Sequence, residues 1–142
     1  MAERGKGGII LMSSMSGFQG TPYVAAYAAS KAFNLVLAEG LWYELKIANV
    51  DVLASCPGPT GTPGFYNSLQ GKPPPAFPPV ISPEQVAEQS LGYLGKRSVL
   101  VPAFANRMAS FFIQKFIPRR FGVRIMGKST GRMYGRASSQ DR

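Results

Sequence analysis

Residues 13–31 read SSMSGFQGTPYVAAYAASK, and three of them could do chemistry together. Tyr27 and Lys31 are four apart, so on a helix their side chains share one face, one turn from each other. A free phenol titrates at about pH 10 and exchanges protons poorly near neutrality. An ammonium a few ångströms away favours the ionised form, which makes Tyr-x-x-x-Lys a compact acid–base device. Ser14 follows a short apolar run and falls where the carboxyl edge of an open parallel sheet binds ligands. A hydroxyl there could donate to a substrate oxygen as charge moves onto it.

Other chemistries are closed off. The chain has no histidine, so a Ser-His-Asp or Cys-His hydrolase lacks its base. A single cysteine, Cys56, excludes an intrachain disulfide and a thiolate metal cage, and no metal site is expected. Cys56 itself reads as a small buried residue at a strand end. No run approaches the roughly 20 apolar residues of a membrane-spanning helix, and nothing reads as an export signal. A reducing, cytoplasmic setting is expected.

These residues need elements to hold them. Residues 8–12 (GIILM) suit a strand buried on both faces of a parallel sheet. Thr21-Pro22 offers an N-cap followed by proline, and the Ala-, Leu-, Glu- and Lys-rich stretch after it predicts one long helix to about Ile47. Residues 49–56 predict a second strand, ended by Pro57-Gly58. A Pro- and Gly-crowded loop runs over 57–79, a length that is usually functional. Ser82-Pro83-Glu84-Gln85 predicts a capping box and a helix to about Leu94, before a third strand over 98–101. Strand and helix alternate, which predicts an α/β fold with about three parallel strands and flanking helices.

With the elements in place, residues 8–101 resemble the active-site half of the short-chain dehydrogenases/reductases. Tyr27-Ala28-Ala29-Ser30-Lys31 matches that family's Tyr-x-x-x-Lys, and Ser14 lies 13 residues upstream, its usual spacing. Ser13 and Ser16 compete for the serine role, but the spacing favours Ser14. Pro57-Gly58-Pro59-Thr60-Gly61-Thr62 matches the Pro-Gly-x-x-x-Thr that follows the next strand. The resemblance implies the C-terminal portion of a Rossmann-like doubly wound sheet and an oxidoreductase that interconverts a carbonyl and an alcohol. It implies Tyr27 as acid or base, and Lys31 as the group that tunes it and holds the nicotinamide ribose. It further implies Ser14 as the carbonyl's hydrogen-bond donor, and Tyr27, Lys31, Pro57, Gly58 and Thr62 as contacts to NAD or NADP, which the sequence does not distinguish.

The family's Gly-rich phosphate turn does not precede Ser14 in this chain, nor does its Asn-Asn-Ala-Gly strand motif. The expectation is a truncated gene product, a partial gene prediction or one piece of a split protein: 1–102 a partial Rossmann-like domain without its dinucleotide-binding half, inactive alone, and poorly soluble because its first strand leaves a bare apolar edge. The competing reading is a non-catalytic interaction module that keeps the motifs as relics. Phe33, Leu37, Leu41 and Trp42 are expected to pack against the core or a partner subunit, and homo-oligomerisation through this helix is expected by analogy alone. The loop and the Phe-rich tail point to an apolar carbonyl or alcohol as the small-molecule substrate.

Residues 103–142 form a separate expectation, a basic amphipathic helical tail broken at Pro118. From Lys96 onward the chain carries eleven of its 16 basic residues against Asp141 alone, whereas the part before it is close to neutral. A solvated face over a pocket-covering helix, a peripheral membrane contact and nucleic-acid binding all fit a basic tail. The last is not expected, because no recognised motif accompanies the charge.

Overall fold

The computed structural model describes residues 1–74, 76 and 78–134. Among them, three parallel strands form one sheet: β1 (Gly7–Met12), β2 (Val50–Ser55) and β3 (Val99–Leu100), in that order. Gly7 stands opposite Val50 and Met12 opposite Ser55, while Ala54 pairs with Val99. Helix α1 (Ala25–Glu44) carries the chain from β1 to β2. A short helix, α2 (Pro63–Ser68), and then α3 (Pro83–Tyr93) lead from β2 to β3. Two more helices follow, α4 (Phe104–Phe116) and α5 (Arg119–Tyr134). The expected α/β architecture is present, and the expected break of the tail falls at Pro118.

Helices cover both faces of the sheet. Val52, Ala54 and Cys56 pack against Leu35 and Ala38 of α1. Alternation along β2 turns Ser55 to the other face, where its Oγ lies 2.8 Å from Ser90 Oγ of α3. β2 is central and buried except at Asp51. β1 differs from the reading of a fully buried strand: it is half-buried, because β2 is its only partner strand among the described residues.

The ends of α1 also differ from the sequence reading. Thr21 does not cap the helix: it is buried, and its hydroxyl faces the carbonyls of Ser16 and Gln19, 3.4 Å from each. Tyr23 takes a left-handed backbone (φ 67°), so regular helix starts two residues later. At the other end, a 3-10 turn (Leu45–Ala48) follows Glu44 and is closed by left-handed Asn49, whose amide donates to Gly5 O (2.7 Å). The capping box of α3 stands as read: Ser82 Oγ accepts from Gln85 N and Gln85 Oε1 from Ser82 N, both at 3.2 Å.

The tail packs onto the body as far as the described residues reach; 135–142 lie outside them. Gly122, Gly127 and Gly131 of α5 bring bare Cα atoms against Gln19, Pro22 and Tyr23. Thr130 Oγ1 lies 2.9 Å from Pro22 O and 2.7 Å from Met126 O. This contact lays α5 across the turn that leads into α1.

Candidate active site

Ser14 sits just beyond β1, where the chain leaves the sheet. Ser13 N donates to Ser55 O (2.7 Å) and Met15 N to Pro57 O (3.0 Å), so the loop stays registered to the end of β2. Ser14 is buried and extended (φ −164°), and its Oγ accepts from Ser16 N at 3.2 Å. That bond occupies a lone pair and leaves the hydroxyl proton for another acceptor. Ser13 turns away instead, donating to Lys31 O at 2.7 Å. Gly17 then crosses α1 so closely that a Cβ would stand 2.9 Å from the Lys31 carbonyl carbon. The loop carrying Ser14 is thereby clamped to the turn of helix carrying Lys31.

Tyr27 and Lys31 share a face of α1 near its start. Lys31 Nζ stands 5.6 Å from the centre of the Tyr27 ring and donates to Met12 O at 3.0 Å. Asn34 Nδ2 donates to the same carbonyl at 3.1 Å. The end of β1 thus fixes the ammonium beside the phenol and leaves it two further N–H donors. Tyr27 is 49% exposed, open to a ligand in the space before it.

The segment after β2 supplies the facing wall. Gly61 N donates to Ile81 O (2.9 Å) and Ile81 N to Pro59 O (3.0 Å), pinning the long loop at both ends. Thr62 caps α2, its Oγ1 accepting from Phe65 N at 3.1 Å. Ser14, Tyr27, Lys31, Pro57, Gly58 and Thr62 all line one cavity of about 1230 Å³. Its remaining walls are mostly apolar and include Ile113 of α4 and Ile125 and Met126 of α5.

Cys56 lies behind this wall, fully buried. Burial pushes its thiol up to about 11, with the charge of Glu39 adding to the effect and hydrogen bonds from Ser13 and Ser14 opposing it. It is packing material. Among the described residues no cluster of three or more His, Cys, Asp or Glu could hold a metal ion.

Sequence reasoning missed several parts of the site. The Met12 carbonyl and Asn34 carry no type-specific signal, because only the fold brings them to Lys31. α2 falls inside the stretch expected to be loop, although Thr62-Pro63 is a legible cap-and-proline start. Asn106 of α4 is fully buried against Gly58, and neither of its amide atoms has a hydrogen-bond partner among the described residues.

The geometry suits the nicotinamide end of a dinucleotide cofactor. A hydroxyl, a phenol and an ammonium converge with a capping threonine on one cavity, a donor set for ribose hydroxyls and a carbonyl oxygen. No Gly-rich turn onto a helix start faces the cavity among the described residues, so the fit is to that end alone.

Known proteins bear on this arrangement. A 7beta-hydroxysteroid dehydrogenase of Clostridium sardiniense is 36% identical over 107 residues, 74% of this chain and 40% of that protein. A solved structure in a study of 7beta-hydroxysteroid dehydrogenase stereoselectivity superposes with a TM-score of 0.78 at 25% identity, over 88% of this chain and 49% of that one. A short chain dehydrogenase from Burkholderia cenocepacia J2315, solved in complex with NADP, gives a TM-score of 0.64 at 25% identity, over 78% and 44%. The chain spans about two-fifths of the length of the 7beta-hydroxysteroid dehydrogenases it matches. The family model described as short chain dehydrogenase matches residues 1–72, the part that holds Ser14, Tyr27, Lys31 and Thr62. This protein belongs to the short-chain dehydrogenase family.

Proposed function

We propose that this chain is the catalytic half of an NAD- or NADP-dependent oxidoreductase acting on an apolar ketone or its alcohol. The observation that carries the reading is the convergence of Ser14, Tyr27 and Lys31 on one largely apolar cavity. When bound, the nicotinamide supplies or accepts the hydride. Tyr27 Oη gives its proton to the substrate oxygen during reduction and takes it back during oxidation. Ser14 donates a hydrogen bond to the same oxygen, steadying the charge that grows there. Lys31, anchored at Met12 O, sets positive charge beside the phenol and offers its other two N–H groups to ribose hydroxyls. Pro57, Gly58 and Thr62 hold the nicotinamide face.

The cavity walls from α4 and α5 set the substrate class. Ile113, Ile125 and Met126 give this wall its apolar surface, and the groups beside them, such as Gln114 and Ser129, are polar but uncharged. A rigid hydrocarbon ketone of the steroid kind fits that lining, in keeping with the relatives named above. On its own the chain holds only the nicotinamide end of a cofactor, so titration with NADPH should give no micromolar binding.

The test is a chimera: the first part of the Clostridium sardiniense relative, supplying the length this chain does not cover, joined in register ahead of Gly7. It should oxidise or reduce hydroxysteroid–ketosteroid pairs with NADP or NAD. Tyr27→Phe should lower kcat by about two to four orders of magnitude, the range a positioned acid–base group supplies. A folded, cofactor-binding chimera that turns over no ketone, or one indifferent to Tyr27→Phe, would sink the reading.

A further inference from the structure

We infer that α4 and the start of α5 form a docking surface for an anionic lipid bilayer. α4 is two-sided. Asn106, Ala109 and Ser110 are buried against the body, whereas Phe111, Phe112 and Phe116 stand outward, each more than half exposed. The three rings touch one another edge-on or tilted, with centroids 5.6–6.2 Å apart, and so form one apolar knob. Exposed Lys115, Arg119 and Arg120 flank it, followed by exposed Phe121 and Arg124.

The chemistry of this patch selects its partner. Phenylalanine has no hydrogen-bonding group, so the knob gains most where it leaves water altogether. From Lys96 to Tyr134 there is no carboxylate, so the surrounding charge has one sign and attracts anionic headgroups without internal competition. Aromatic side chains beside Lys and Arg on an amphipathic helix suit a helix lying in the plane of the headgroups. Among the described residues no helix is long and apolar enough to cross a membrane, and the patch suits contact in the headgroup plane. A nucleic-acid duplex would leave the three clustered rings wet, and a neutral protein partner would leave the cations unpaired.

Docking there also shortens the substrate's path. Ile113 and Gln114 of α4 and Ile125 of α5 line the cavity, so the elements that meet the lipid border the space in front of Tyr27. An apolar ketone dissolved in the leaflet can reach the site without crossing bulk water. This route rests on the oxidoreductase reading above, whereas the docking itself needs neither cofactor nor substrate.

Flotation of the full chain with vesicles tests the surface. The chain should float with phosphatidylcholine vesicles containing phosphatidylserine, stay behind with phosphatidylcholine alone, and be released by raised salt. Lys115→Gln with Arg119→Gln and Arg120→Gln should weaken partitioning about a hundredfold, on the usual increment per basic residue at an anionic surface. Phe111→Ser with Phe112→Ser and Phe116→Ser should abolish it, with the circular dichroism spectrum unchanged. If that variant unfolds, a Trp42→Phe, Phe112→Trp chain takes its place; its emission should shift to the blue on anionic vesicles only. Equal recovery on both vesicle types, an emission that does not move, or tighter binding to an RNA duplex than to anionic vesicles at matched salt would overturn the assignment. Failed flotation beside an active chimera would remove the surface and leave the chemistry; flotation beside an inactive chimera would do the reverse.

Discussion

The side-chain amide of Asn106 lies against the bare Cα of Gly58: a Cβ there would stand 2.8 Å from Nδ2 and 3.0 Å from Cγ. The first helix after the sheet thus braces the turn that forms one wall of the site. The contact is steric, since neither atom of the amide is hydrogen-bonded within the described residues.

That relationship predicts a coupled pair. Gly58→Ala should destabilise the chain by about 1–3 kcal/mol, the usual cost of forcing extra volume into a packed site. Asn106→Ala should cost less than a typical large-to-small change, because it also removes an amide buried without partners. Together the two should cost less than their sum by about 1 kcal/mol or more, as for residues in direct contact. Urea unfolding of the four proteins reads the coupling; strict additivity would mean that the two do not press on each other.

How legible was this in the sequence? The alternation of strands and helices was, because hydrophobic runs and caps are local signals. So was the trio Ser14, Tyr27 and Lys31 as a candidate set, because its spacing is fixed along the chain. The start of α1 was not: Thr21-Pro22 is a fair helix signal, but in the fold Thr21 is buried, Tyr23 is left-handed, and α5 packs on Pro22 and Tyr23, a long-range contact with no local signal. Nor were the clamps at Gly17 and Gly58, since a glycine shows its neighbours only once the chain has folded.

Lys31 and Asn34 share the Met12 carbonyl, and this separates stability from chemistry at Lys31. Lys31→Met removes one donor while Asn34 still satisfies the oxygen, so the fold should lose only about 1 kcal/mol. In the chimera, kcat/KM should fall by about two orders of magnitude or more, because the cation beside Tyr27 and the ribose contact vanish together. Asn34→Ala should show a small loss in both. Thermal melts and steady-state rates on the same preparations compare them, and a Lys31→Met chimera with unchanged rates would place the lysine outside the machinery.

Thr62 has two roles that conservative substitution can part. Its Oγ1 caps α2 through Phe65 N. Thr62→Ala should cost about 1 kcal/mol, the usual value of an N-cap, and raise the chimera's KM for the cofactor. Thr62→Ser keeps the hydroxyl and should restore both. If serine fails to rescue KM while restoring stability, the cavity reads the threonine methyl instead of its oxygen.

Cys56 gives the chain a pH dependence of definite sign. Unfolded, its thiol ionises near the ordinary 9.0; folded, burial first of all delays ionisation to about 11. Between those values the unfolded chain has released a proton that the folded chain still holds, so raising the pH pulls the equilibrium toward unfolding. The contribution is fully present below pH 9.0 and is lost as pH climbs to about 11, at about 1.4 kcal/mol per pH unit. Cys56→Ala should start lower at neutral pH, because a small cavity opens behind the site wall, yet fall less steeply across that window. The comparison with the variant cancels what the other groups of the chain contribute. Parallel slopes for the two proteins in denaturant melts would show that the thiol ionises as freely in the fold as outside it, and so is not buried where the sheet places it.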